Sequence, residues 1–155
     1  MKKPPDTLAE TPPEGTVWFG GEFDRSKVTL RIIGDNLSPD EITKLLGVSP
    51  TKSEKKGDVT IGKVSKTQRV AKTGRWSIES NLPDEIDVEI KINNLLDIVS
   101  NDNHVWSEIN NKYKTDIFCG LFMEAENRGF SLSVKTLNRL ASLGIEVGFD
   151  IYAPD

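Results

Sequence analysis

The sequence predicts an α+β domain, a mainly antiparallel sheet with helices packed on one face. Two observations carry this reading. Short β-branched runs alternate with amphipathic segments that begin on capping residues and end on glycine. One helix pattern also recurs: Leu37, Ser38, Ile42 and Leu45 match Leu132, Ser133, Leu137 and Leu140 at identical offsets, and each copy runs on into Leu-Gly followed by Val or Ile. Each copy follows an apolar strand. That pattern fits a duplicated β-α-β unit, and it equally fits two independently capped helices.

Residues 1–15 hold four prolines and little that would enter a core, so they read as a mobile N-terminal tail before a single domain over 16–155. Val17–Phe23 is apolar but broken by glycine, which suits a short edge strand or a segment laid on the core. Lys27–Gly34 alternates and is β-branched, and predicts a strand. Ser38, Pro39 and Glu41 have the spacing of a capping box, Ile42, Leu45 and Leu46 form an apolar face, and Gly47 supplies the stop. Residues 49–74 read as a basic loop inserted between this helix and the next strand. Arg75–Asn81 predicts that strand, with Trp76 and Ile78 on one face.

Residues 86–92 alternate like a strand, yet Val88, Ile92, Leu95, Leu96 and Val99 fall on one helical stripe. The stripe is the longer signal and favours a helix. A second short helix is predicted over 103–113. Asp116–Glu124 is nearly continuously apolar and predicts a central strand. Ser133 and Gly144 bound a further helix, and the alternation of Ile145, Val147, Phe149 and Ile151 predicts the last strand.

At 155 residues, 36% apolar and 28% charged, the chain describes a soluble protein with one modest core. No apolar run approaches the roughly 18 residues a membrane span needs, and the start lacks the apolar core of a secretory signal. The expected location is therefore the cytoplasm. The single Cys119 cannot form an internal disulfide.

Charge is strongly segregated. Ser53–Trp76 holds five lysines and two arginines against one glutamate and one aspartate, a formal +5; the whole chain is −4, so the remainder is −9. A pI near 5.1 argues against broad nucleic-acid binding.

Several short motifs occur in a fixed order: G-D-N-L-S-P-D-E-I-T-K-L-L-G-V-S-P-T, K-K-G-D, G-R-W-S-I-E-S, G-F-S-L-S and a closing D-I-Y. Over roughly residues 27–153 this series resembles a bacterial family known only as domain of unknown function four-two-seven-nine. The chain departs from that pattern at Lys52-Ser53-Glu54-Lys55, where an aromatic residue is expected. The resemblance implies a compact α+β domain of bacterial or phage-like origin. It implies no reaction, cofactor or catalytic residue.

Catalytic constellations are scarce. One histidine, His104, and one cysteine fall short of the roughly four ligands of a structural zinc site. Cys119 lies within an apolar run and reads as core. The glycines Gly57, Gly62 and Gly74 match no phosphate-cradling pattern. No cofactor is expected, and the chain is read as non-enzymatic.

The candidate binding residues are Lys55, Lys56, Asp58, Lys63, Arg69, Arg75 and Trp76. If the basic loop closes on itself, Lys56-Gly57-Asp58 comes beside Gly74-Arg75-Trp76, where Asp58 would pair with Arg75 and the guanidinium would stack on Trp76. The bland alternative is a clamp at the base of a solvated loop. Val59, Ile61, Val64 and Val70 suit a short hairpin about Lys63–Arg69. The acidic run Asp84, Glu85, Asp87 and Glu89 fits a helix N-terminus, or a face that steers toward a basic protein. The preferred function is a non-catalytic protein-interaction module, in specific form an immunity or antitoxin-type protein that masks a partner. The alternative is a regulatory domain binding a small anionic ligand around Arg75 and Trp76. Nucleic acid ranks below a protein partner because the lysines lack interleaved aromatics.

Overall fold

The computed structural model describes residues 21–154, so the expected tail and most of Val17–Phe23 lie outside the described residues. The chain runs β1 (Arg25–Gly34), α1 (Pro39–Leu46), β2 (Lys52–Glu54), β3 (Val59–Ile61), β4 (Gln68–Val70), β5 (Gly74–Glu79), α2 (Val88–Ile98), α3 (Asn103–Lys112), β6 (Lys114–Phe122), α4 (Val134–Leu143) and β7 (Glu146–Tyr152). Five strands form one sheet in the order β2-β5-β1-β6-β7, and β3 and β4 form a separate two-stranded ribbon. Every pairing is antiparallel except β6 with β7. This is the α+β class read from the sequence.

Strand periodicity divides the sheet into two faces. Val28, Leu30 and Ile32 of β1, Trp76 and Ile78 of β5, and Ile117, Cys119 and Leu121 of β6 are buried together. The same cluster takes Ile42 and Leu46 from α1, Ile92, Leu95 and Leu96 from α2, Trp106 and Ile109 from α3, and Leu140 and Leu143 from α4. All four helices thus cover one face. The opposite, outer face carries Thr29, Arg31, Arg75, Ser77, Glu79, Asp116, Phe118 and Phe122.

The two copies of the helix pattern differ in how their strands pair. β1 and β5, joined through α1, are antiparallel, whereas β6 and β7, joined through α4, are parallel. The parallel pair needs only a helical crossover, while the antiparallel pair accommodates the whole basic segment in its connection. Ser38 occupies the N-cap of α1, but its side chain makes no capping hydrogen bond. Pro39, at the first helical position, lacks an N–H and so leaves the helix start with one unpaired donor fewer. Ser133 does cap α4, its hydroxyl accepting from the Thr136 amide at 3.2 Å. Gly47 and Gly144 both end their helices in the left-handed region. Gly74 is required by close approach: a Cβ there would meet the Gly34 carbonyl oxygen at 2.7 Å.

α2 resolves the ambiguity over 86–92. Asp87 caps it, accepting from the Glu89 and Ile90 amides, and the predicted stripe Val88, Ile92, Leu95, Leu96 and Val99 is buried. Lys91 is buried too, at 1% exposure, with its ammonium donating to the carbonyls of Ser26 and Asp84. It ties the loop before α2 to the start of β1.

Burial holds the Lys91 pKa below its ordinary 10.5, with the nearby carboxylates of Asp84, Glu85 and Glu79 opposing the shift. Between the lowered value and about 10.4 the unfolded chain therefore binds more protons than the native one, so stability from this group rises with pH. Below that window the cost of burying the charge is paid in full. Urea midpoints measured from pH 8 to 10.5 should accordingly shift in favour of the wild type relative to Lys91→Met as pH rises. A constant difference would show that Lys91 stays charged in the fold.

Candidate binding surfaces

The basic segment is ordered into two parts. Its first residues, Lys52–Glu54, join the main sheet as the edge strand β2, pairing Lys52 with Ser77 and Glu54 with Arg75. Three polar residues give no strand pattern in the sequence, which is why 49–74 reads there as one loop. The second part is the ribbon, in register Val59–Val70, Thr60–Arg69 and Ile61–Gln68. Its base is closed by the Gly57 amide donating to the Ala71 carbonyl, and the Ala71 amide to that of Asp58, both at 2.8 Å.

That register puts Val59, Ile61 and Val70 on one face of the ribbon and Thr60 and Arg69 on the other. Arg69 reaches back to Glu54 with two parallel bonds of 2.9 Å, a forked pairing that anchors the ribbon to the sheet edge. Its guanidinium holds the Glu54 carboxyl below the usual range, with a further pull from Arg75. The apolar face is left in solvent: Val59 and Val70 are 53% exposed, Ile61 67%, and Val64 at the turn 96%. A two-stranded ribbon has little stability of its own in water, so a solvent-facing valine and isoleucine row is a feature with a cost. The Lys63 side chain stands exposed in the turn and has no ion-pair partner among the described residues.

The other candidate residues divide as follows. Lys55 contributes its amide to Asp58 at 2.7 Å, closing a turn. Lys56 pairs with Asp35. Asp58 does not pair with Arg75, and Arg75 does not stack on Trp76. Adjacent residues of one strand point to opposite faces, so Arg75 stands on the outer face while Trp76 is fully buried and donates from its indole to the Thr43 hydroxyl at 3.0 Å. Trp76 is core and has no access to a ligand in this structure. The structure brings the Gly57-Asp58 end of the loop to Ala71 as a clamp and does not assemble the expected Asp58–Arg75–Trp76 cluster.

Around Arg75, residues the sequence did not single out make a second surface. On the outer face Ser77 is flanked by Lys52 and Arg31 on the neighbouring strands, and by Arg75 and Glu79 along its own. A serine ringed by long side chains leaves a depression of about 200 Å³, closed at its margins by Thr29, Thr51 and Phe118. Arg31 is committed: it makes two 2.7 Å bonds to the buried Asp116 and lies over the Phe118 ring, 4.4 Å from its centroid. The only sequence signal for this surface is the alternation of Arg75, Ser77 and Glu79, whose register against β1 and β2 no local pattern supplies.

Cys119 lies on the core face, where burial pushes its thiol up to about 12 and leaves it un-ionised at neutral pH. Among the described residues no group of three or more His, Cys, Asp or Glu comes together to hold a metal. No helix of the described chain is long and apolar enough to cross a membrane.

A family model described as Domain of unknown function (DUF4279) matches residues 24–154. No curated protein and no solved structure matches the chain.

Proposed function

The chain belongs to the family DUF4279, a domain of unknown function, and from its surfaces we propose a non-catalytic protein-interaction module that works in the bacterial cytoplasm. In its specific form it is an immunity or antitoxin-type protein that binds and masks a partner. One observation carries the reading: the outward face of the β3–β4 ribbon, where Val59, Ile61 and Val70 are each more than half exposed within a segment of formal charge +5. An apolar centre in a cationic surround fits a partner of matching form, an apolar patch ringed by carboxylates. The cations steer encounter, and the apolar residues hold the complex.

The test is capture from the native lysate on the immobilised full chain, with and without nuclease, followed by association kinetics of the purified partner at increasing salt. One stoichiometric, nuclease-resistant acidic protein is expected, with an association rate falling roughly tenfold or more between low and high salt. If the partner is an enzyme, its activity should be suppressed in the complex. An empty column, or a partner whose association ignores salt, would overturn the reading.

A further inference from the structure

We infer that the depression over Ser77 on the outer sheet face binds a small molecule through a carboxylate or phosphate group. The site is separate from the ribbon's apolar face and does not depend on the partner-binding reading. Its charge balance points to an anion. Arg31 is neutralised by Asp116, Glu54 is held by Arg69, and Glu79 shares Lys27 with Asp84, at 3.8 Å against 3.0 Å. Lys52 and Arg75 remain, two cations with no carboxylate partner among the described residues.

A second observation points the same way. The Nε of Arg75 is shut off from solvent and has no acceptor among the described residues. A buried donor without a partner is unfavourable, and a small shift of the guanidinium toward an incoming oxyanion would satisfy it. An oxyanion suits this position because the guanidinium offers parallel donors in a fork, while Lys52 adds a point charge across the strand pair. A depression of about 200 Å³ is of a size to take the acidic group of a small metabolite. The aromatics of this face do not make a track for single-stranded nucleic acid. Phe122 is stacked on Tyr152 at 4.7 Å with Arg25 over its ring, and Phe118 is covered by Arg31, whereas a strand needs free rings along a continuous basic groove.

Glu54 supplies an internal control. It faces Arg75 directly in register, and it is kept from neutralising that charge by its pairing with Arg69. Removing the Glu54 charge should therefore strengthen an anion bound at Arg75, the opposite of what removing Arg75 does.

The experiment is an amide chemical-shift titration of the isotope-labelled full chain with inorganic phosphate and, separately, with succinate, at ionic strength held constant with sodium chloride. Saturable shifts are expected at Thr29, Ser77 and Glu79, and the anion that saturates at lower concentration identifies the headgroup. Arg75→Gln should weaken binding roughly tenfold or more, the range of a hydrogen bond to a charged group, and Glu54→Gln should tighten it. Lys52→Gln, at an exposed edge position, repeats the loss independently of how Arg75→Gln folds. Absence of saturable shifts with both anions overturns the inference, as do shifts that persist unchanged in the Arg75→Gln and Lys52→Gln proteins.

Discussion

Trp76→Ala should destabilise the domain by about 3–5 kcal/mol, the usual cost of emptying a large aromatic site in a packed core. Native domains are stable by only about 5–15 kcal/mol, so the variant stands at the edge of unfolding. The indole is fully buried between the sheet and the helix layer. It pairs in register with Ile32 of the central strand, and its N–H reaches Thr43 of α1. Truncation removes packing at the centre of the β5–β1 pair and the polar tie that fixes α1 over it. Trp76→Phe keeps most of the volume and loses the hydrogen bond, so its cost should be distinctly smaller. Urea midpoints by circular dichroism measure both. Partner capture by Trp76→Phe should equal that of wild type, because the side chain has no outward surface. Wild-type stability in Trp76→Ala would show that the core is not built around this residue.

The contrast between Arg75 and Trp76 shows where sequence reasoning holds and where it stops. Elements announced by local signals were legible: Gly47 and Gly144 as helix stops, Ser133 as a cap, and the stripe from Val88 to Val99 that outweighs its strand-like start. The hairpin about Lys63–Arg69 was legible from its valines and isoleucine. Pairing between distant strands was not. Lys52–Glu54 becomes a strand only because β5 offers it an edge, and the alternation of β7 does not reveal that it runs parallel to β6 and leaves Phe149 and Ile151 exposed at the sheet edge. Grouping Arg75 with Trp76 by adjacency failed because neighbouring strand residues face opposite ways. Lys91 carried a usable signal: it falls three residues after Val88 and four before Leu95, on the buried stripe, and only its charge argued against burial. The depression over Ser77 needs four strands in register, so its residues are scattered in sequence from Thr29 to Phe118.

Ile61→Asp should abolish partner capture while leaving the domain folded. Ile61 is the most exposed residue of the ribbon's paired apolar face, so the substitution removes no core contact, and solvent-facing changes of this kind usually move stability by less than about 0.5 kcal/mol. At an interface the same change acts twice. It replaces an apolar anchor with a carboxylate that must lose its water, and it sets that carboxylate against the acidic groups the lysines attract. Apolar anchors at the centre of an interface are typically worth 2 kcal/mol or more, about thirtyfold in affinity. Thr60→Asp is the matched control: it places the same charge one residue away on the opposite face, where Arg69 returns to Glu54, and it should bind nearly as wild type. Lys63→Ala and Lys66→Ala should instead slow association and flatten its salt dependence, with less effect on dissociation. Equal loss in Ile61→Asp and Thr60→Asp would mean that the ribbon had merely come apart. Full capture by Ile61→Asp would mean that its apolar face is not the contact, and that the partner is held elsewhere on the chain.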